Sequence, residues 1–266
     1  MVDYSRRNLI VSGFAISISA LVGRRAFASG LGAGAPEKES FAPQGYKLAW
    51  SDEFSCNTLD RSKWDFRTDS KQWSTQLPGN VSVRGGKLII TLDRAPAGAA
   101  MKYAGGGVIS KEAFGYGYYE CRMRILAGKG WHSSFWLMKH NGSGGTGTSA
   151  ADLELDVIEN DSIDLRSYGI TTHKWKDGHV AYGHKVVHTP SLSEYHVYGC
   201  EYTREIVRYY FDGILEQSTD IASLPQGKLN IWLTSIASGL GHTDRVDDAR
   251  LPGHVEYDYA RYYRKA

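Results

Sequence analysis

Short segments in which apolar and polar side chains alternate, separated by tight turns, constrain the fold of this chain more than any other feature. Segments such as Gly115–Ile125, Leu229–Ile236 and Val255–Tyr263 are rich in β-branched and aromatic residues, and helical periodicity is rare after residue 42. Asp-Gly pairs such as Asp212-Gly213 supply the positive φ values that two-residue hairpin turns require. Many short strands without intervening helices predict an all-β protein, an antiparallel sandwich of two sheets.

Composition excludes several classes of protein. Hydrophobic residues make up 42% of the 266 and charged residues 23%, which is typical of a packed globular chain and not of a disordered one. The formal net charge of +2 offers no strong basic field for binding nucleic acid. Mean hydropathy is −0.37 and no run of about 18 apolar residues occurs, so we expect no membrane span. We also expect a monomer.

The first 28 residues have the three parts of an export signal. Arg6-Arg7 precedes a mildly apolar stretch, Leu9–Val22, and Ala26-Phe27-Ala28 fits a cleavage site. Paired arginines before a weak apolar segment are typical of a twin-arginine signal. We therefore predict a signal peptide at 1–28, a flexible linker at 29–42 and a folded domain at 43–266. Such a protein would be exported to the periplasm or the extracellular space.

One segment that reads as a strand, Asp152–Asn160, carries acidic side chains on one face. Residues two apart share a face of a strand, so Glu154 and Asp156 point away from the core together. Glu159 is out of phase by one residue, and we predict a β-bulge at Val157-Ile158 that returns it to the acidic face. The two glutamate carboxylates would then lie about 5–6 Å apart, the separation that retaining glycosidases use. A half-buried strand with a solvated acidic face is the competing explanation.

Tryptophans elsewhere in the chain are candidates for stacking on sugar rings, which expose apolar C–H faces. We expect Trp131 and Trp136 to contact a ligand, whereas Trp50 and Trp64 fit positions in the core. Trp175 is open to either role. A lectin-like binder would also use such aromatic residues, but it would not need two glutamates at this spacing.

Ordered motifs along most of the chain resemble family 16 of the glycoside hydrolases. Glu154–Glu159 resembles the family's E-x-D-x-x-E signature in its bulged form. Trp50–Phe54 resembles its W-x-D-E-F opening, and Tyr116–Arg122 resembles its Y-G-x-x-E-x-R strand. Gly130–Trp136 resembles its G-x-W-x-x-F-W element, with His132-Ser133 in place of the usual Pro-Ala.

The resemblance implies a concanavalin-like jelly roll that performs endo-acting, retaining hydrolysis of a β-linked polysaccharide. It implies that Glu154 is the nucleophile, Glu159 the general acid/base and Asp156 an assisting carboxylate. No cofactor is expected for this chemistry. The substrate-binding candidates are Asn80, Trp131, Trp136, His173 and Trp175.

A structural calcium ion is a further implication, because many relatives carry one. Glu53, Gly86 and Asp258 fit its ligand positions, and a site made only of oxygen ligands suits calcium. Ordinary hydrogen bonds of these acids explain the same residues equally well.

The substrate and the fate of the glycosyl group stay open at this point. The bulged motif favours glucanases and galactanases, and we expect β-1,3-glucan in preference to an algal galactan or a bacterial exopolysaccharide. A non-catalytic lectin and a transglycosylase that uses the same site are the alternatives.

Overall fold

The strands follow the alternating segments of the sequence in a computed structural model that describes residues 38–142, 153–160, 163–239 and 244–266. The predicted signal peptide (1–28) and most of the predicted linker lie outside these residues. Within the described ranges, no helix is long and apolar enough to cross a membrane. Two 3-10 helices, Pro78–Asn80 and Asp248–Arg250, are short. The strands are β1 (Tyr46–Asp52), β2 (Trp64–Phe66), β3 (Ser70–Lys71), β4 (Ser74–Gln76), β5 (Val81–Arg84), β6 (Lys87–Arg94), β7 (Tyr103–Ser110), β8 (Gly117–Leu126), β9 (Trp131–Met138), β10 (Leu153–Glu159), β11 (Ser167–Lys174), β12 (Val180–His188), β13 (His196–Tyr202), β14 (Ile206–Phe211), β15 (Ile214–Asp220), β16 (Asn230–Ala237) and β17 (Gly253–Lys265).

Most of the strands pair into two antiparallel sheets. In sheet A the order is β5-β6-β17-β8-β13-β14-β15, and β1 lies beside β6 along the same edge of the long strand β17. In sheet B the order is β2-β7-β16-β9-β10-β11-β12. A short ladder of β3, β4, β6 and β7 connects the two sheets. The predicted all-β, antiparallel two-sheet architecture is confirmed.

The main core lies between the sheets and buries one side of each central strand. Leu155 of β10 is fully buried there. Tyrosine side chains of sheet A cross this core and donate their hydroxyls to backbone carbonyls of sheet B. A buried tyrosine hydroxyl needs such a partner. The Tyr257 hydroxyl donates to the carbonyl of Ser134 at 3.0 Å, and the Tyr209 hydroxyl donates to the carbonyl of Thr171 at 3.2 Å. The opposite side of sheet B, which we call its outer face, is therefore the side that can hold a ligand.

Strand β10 contains the irregularity that the sequence predicts. Against β9, Asp156 pairs with Trp136 and Glu159 pairs with Ser134, so three steps along β10 match two along β9. The side chains of Val157-Ile158 both lie in the core, 1% and 0% exposed. The extra residue is thus absorbed on the inner side, and Glu159 returns to the outer face. The predicted bulge is confirmed.

The end of the predicted linker packs against sheet A. The carbonyl of Glu39 accepts a 2.6 Å hydrogen bond from the Tyr259 hydroxyl. The amide of Phe41 donates to Oε2 of Glu120 at 2.7 Å. The compact unit of the structure spans Glu39–Ala266.

Candidate active site

Glu154, Asp156 and Glu159 form one acidic group on the outer face of β10. Oxygens of Glu154 and Asp156 and a ring nitrogen of His173 lie within 4.8 Å of one another. The register places Glu154 opposite His173 on β11. Because of the bulge, Glu159 lies opposite Gly169, four residues further along β11. The three acids that the sequence singles out are therefore brought together.

Two adjoining cavities meet above these acids. The β9 cavity extends over β9 and β16, and the β11 cavity, of about 520 Å³, extends over β11 and β12. The larger volume is in the range of pockets that hold small ligands or parts of larger ones. Five side chains line both cavities and surround their junction: Lys71, His132, Glu154, Glu159 and Trp175.

Glu154 is held by a tryptophan. Trp175 Nε1 donates to its Oε2 at 2.7 Å. Burial raises the pKa of Glu154 to about 7, and the negative charge of Glu159 acts in the same direction. The Trp175 hydrogen bond and the charge of Lys71 oppose this rise, because both stabilise the carboxylate. Glu154 is thus a carboxyl group that changes charge near neutral pH.

Asp156 is the most deeply buried of the three acids, with a side chain that is 1% exposed. His173 Nε2 lies 3.1 Å from its Oδ2, but neither oxygen has a well-aligned hydrogen bond among the described residues. Burial, followed by the charges of Glu159 and Glu154, raises the pKa of Asp156 well above its ordinary value. A neutral Asp156 carries a proton that it can share with Glu154, and this interaction lowers the pKa of Glu154.

Glu159 differs from the other two acids in its partner. His132 Nε2 lies 2.9 Å from Glu159 Oε1. Burial pushes the pKa of Glu159 upward, but His132, His173 and Lys71 outweigh burial and lower it. The environment therefore separates the two glutamates, with Glu159 the more readily ionised in the free protein.

Of the two tryptophans expected in the site, only one lies on the outer face. Trp136 lines the β9 cavity and stacks on Trp232 with ring centroids 4.5 Å apart. Trp131 is 1% exposed and lies in the core between the sheets, edge-on to Tyr103. The prediction that Trp131 contacts ligand is wrong, because residues five apart on a regular strand point to opposite faces.

The remaining substrate-binding candidates divide in the same way. His173 and Trp175 line the β11 cavity. Asn80 lines neither cavity; its side-chain nitrogen donates to the carbonyls of Thr91 and Ala104 at 2.8 and 3.2 Å. Asn80 therefore connects β6 to β7, and the structure does not support the prediction that it binds substrate.

The predicted calcium ligands lie on the other sheet. Glu53 directly follows β1, Gly86 directly precedes β6, and Asp258 lies on β17 between the stretches that pair with those two strands. Arg261 binds Glu53 through two nitrogens, at 2.8 and 3.0 Å, and Arg122 lies 2.7 Å from Asp258. Two guanidinium groups at these distances oppose a divalent cation. The residues as they stand do not fit calcium.

Sequence reasoning missed Lys71 as a residue of the site. It lies on the two-residue strand β3, far along the chain from β10, and lines both cavities. Its charge lowers the pKa of all three acids. A strand of two residues has no periodic pattern, so no signal in the sequence could have placed this lysine here.

Comparison with known proteins identifies the family of this chain. The family model described as "Beta-porphyranase A-D, GH16 domain" matches residues 47–234. The chain belongs to glycoside hydrolase family 16. Its resemblance to that family in the sequence motifs is thereby confirmed, and so is the jelly-roll fold.

The family 16 relatives that this chain matches are named for different enzymes. A β-glucanase of Acetivibrio thermocellus is 31% identical over 222 residues, 78% of this chain and 60% of the relative. β-Porphyranase B of Phocaeicola plebeius is 31% identical over 221 residues, 65% of this chain and 68% of the relative. The solved structure of SCLam, a non-specific endo-β-1,3(4)-glucanase, superposes with a TM-score of 0.72 at 24% identity, over 85% of this chain and 93% of that one. The chain thus spans about 60% of the length of the β-glucanase.

Proposed function

We propose that this family 16 glycoside hydrolase is an endo-acting, retaining β-glycanase whose nucleophile is Glu154 and whose general acid/base is Glu159. The observation that carries the proposal is the β10 bulge, which places both glutamates on one face at the junction of two cavities. Cavities that extend to both sides of the acids suit a polysaccharide that continues beyond the cleaved bond. An exo-acting enzyme would need only one of them.

Each step of the reaction can be assigned to groups of this site. The Glu154 carboxylate attacks the anomeric carbon, and Glu159 gives its proton to the departing glycosidic oxygen. Glu159, now ionised, then takes a proton from water, whose oxygen displaces Glu154 and restores the original configuration. A neutral Asp156 stabilises the carboxylate of Glu154 before the attack and after its release.

The reaction needs the proton on Glu159, but in the free protein Glu154 is the glutamate that holds a proton more readily. Burial raises the pKa of Glu154 and His132 helps to lower that of Glu159, so a single proton shared by the pair resides mostly on Glu154. The reactive form, with Glu154 ionised and Glu159 protonated, is the minor arrangement of that proton. Coupled carboxyls titrate as a pair, so kcat/KM should follow a bell-shaped pH profile.

The substrate that we favour is an algal galactan of the porphyran type. The matching family model describes β-porphyranases, and a porphyranase is among the relatives at 31% identity. This replaces the β-1,3-glucan expected from the motif alone. A β-glucan stays the second candidate, because a β-glucanase is equally similar in sequence.

A panel of porphyran, agars, carrageenans and β-glucans, assayed by reducing-end release and product size, tests the proposal. We expect internal cleavage of porphyran, and losses of several orders of magnitude in kcat for Glu154→Gln and for Glu159→Gln. Glu205→Gln, in an exposed turn of sheet A, is the matched control and should keep full activity. Azide added to Glu159→Ala should give a β-configured product.

Three results would contradict the proposal. Near-normal activity of either site variant would exclude the assigned roles. Binding of a polysaccharide that is never cleaved would indicate a lectin. Transfer products that dominate at high acceptor concentration would indicate a transglycosylase.

A further inference from the structure

His132 is built into the acid/base end of the site. It lies on β9 two residues from Ser134, the residue that pairs with Glu159, and so it projects from the same outer face. Its Nε2 lies 2.9 Å from Glu159 Oε1, within hydrogen-bond distance. The side chain is only 11% exposed, whereas that of Glu159 is 28% exposed. Glu159 can therefore reach a ligand while its histidine partner is largely shielded from solvent.

The other nitrogen of His132 defines how the ring can act. Nδ1 is buried and has no hydrogen-bond partner among the described residues. Nε2 is therefore the ring nitrogen that contacts the Glu159 carboxyl, and a hydrogen on Nε2 donates to Oε1. This bond stabilises the carboxylate form of Glu159.

Charged and titratable groups of several neighbouring elements surround this pair. Glu154 and Asp156 lie beside it on β10, and His173 lies across on β11. The β16 residue opposite His132 is Ile236, which carries no charge. The other charged or titratable side chains that line the two cavities are Arg67, Lys71, Tyr168, His179 and His184.

None of these other groups lies as close to Glu159 as His132 does in the described structure. Arg67 is paired with Asp69 at 2.7 Å, His179 with His173 at 2.9 Å, and His184 with Thr171 at 2.9 Å. His132 alone has a direct contact with the Glu159 carboxyl among the described hydrogen bonds and ion pairs.

We propose that His132 is a positioning residue that fixes the Glu159 carboxyl and sets the pH range over which Glu159 can hold its proton. This inference rests on the proposed role of Glu159 as general acid/base. In the first step the proton on Glu159 Oε2, the oxygen that His132 does not hold, passes to the glycosidic oxygen. In the second step a proton from water returns to Glu159. The His132 bond to Oε1 persists through both steps. Glu159 gives up one proton and takes one back, so the cycle neither gains nor loses a proton.

The test compares His132→Gln, whose amide nitrogen can occupy the place of Nε2, with His132→Phe, which has no donor. Because His132 helps to lower the pKa of Glu159, its loss should raise that pKa. The acidic limb of the kcat/KM profile belongs mainly to Glu159, the more readily ionised of the pair. We expect this limb to move to higher pH by about one unit or more in His132→Phe, and by less in His132→Gln.

His254→Gln is the matched control, because His254 forms another histidine–glutamate pair, with Glu256 at 3.2 Å in sheet A. It should leave the profile unchanged. A uniform loss of kcat in His132→Phe without movement of the acidic limb would overturn the proposal and indicate a merely structural role. Equal profiles for Phe and Gln variants would overturn it as well, because the donor would then have no effect.

A second readout does not depend on catalysis. The carboxyl carbon of Glu159, followed by NMR during a pH titration, should report a pKa below the ordinary range in the wild type and a higher one in His132→Phe. If no polysaccharide is cleaved but this shift occurs, the proposed function fails and the His132–Glu159 coupling stands. If cleavage occurs and neither the limb nor the NMR titration moves, the coupling fails and the proposed function stands.

Discussion

The direction of a single tryptophan side chain decides whether it packs in the core or lines the site. Trp131 and Trp136 are five residues apart on β9, yet one fills the core and the other lines the β9 cavity. Trp136 belongs to a second, smaller apolar cluster with Trp232 and Met138, packed on the outer face of sheet B. That cluster gives the cavity an aromatic floor, and sugar rings stack on such surfaces.

The two tryptophans should therefore respond differently to substitution. Trp131→Ala removes a fully buried ring and should lower the free energy of unfolding by about 3–5 kcal/mol, with KM unchanged where the protein stays folded. Trp136→Ala should raise KM and lower stability less, because its ring faces a cavity. Urea titrations and substrate-saturation curves check both. A large rise of KM in Trp131→Ala, at a temperature where it is folded, would contradict this assignment.

At the scale of the element, the bulge of β10 links the core to the chemistry. Burial of Val157-Ile158 on the inner side is what turns Glu159 outward. If the same residues formed a regular strand without the bulge, strict alternation would place position 159 on the core side. A one-residue irregularity thus decides whether the two glutamates share a face.

Deletion of Val157 should remove the bulge but keep both glutamates on the outer face, because Ile158 then takes the single inward position between Asp156 and the glutamate that follows. We therefore expect the deletion variant to keep measurable activity. Val157→Ala is the control: it keeps the residue count and should keep activity, at a cost of about 2 kcal/mol in stability. Circular dichroism and activity assays at low temperature distinguish loss of the site from loss of the fold. A folded deletion variant without any activity would contradict this argument from alternation.

The meeting of β1, β6 and β17 permits a second element-scale prediction, on calcium. Arginines occupy the carboxylates of Glu53 and Asp258, so chelation with EDTA or addition of millimolar Ca²⁺ should leave the melting temperature unchanged. Thermal melts in both conditions measure this. A calcium-dependent rise of several degrees would show that the ion displaces the guanidinium groups. Arg261→Met would then be expected to strengthen that rise.

At the scale of the whole molecule, the core that stabilises the fold and the candidate site lie on opposite sides of sheet B. The core between the two sheets holds most of the buried apolar residues, and the acids stand outside it on one face of sheet B. Relatives of this family are named for different enzymes and SCLam shares the fold, which is consistent with substrate choice residing in what surrounds the acids. Export by residues 1–28 and the monomeric state stay predictions.

Much of this arrangement was determined by the sequence alone. The strands, the inward side of β10 and the bulge that joins Glu154 to Glu159 all follow from two-residue alternation, a local pattern that burial enforces strongly. The same rule, applied to Trp131 and Trp136, would have placed them on opposite faces; expecting both to bind sugar overlooked it.

Tertiary structure alone decided which distant polar groups meet the acids. Lys71 from β3 and His132 from β9 converge on β10, and arginines from β8 and β17 take the carboxylates expected to bind calcium. These are single long-range contacts with no periodic signature in the sequence. The order of the glutamate pKa values depends on those contacts and on burial, because charge interactions act over a few ångströms of space regardless of separation along the chain.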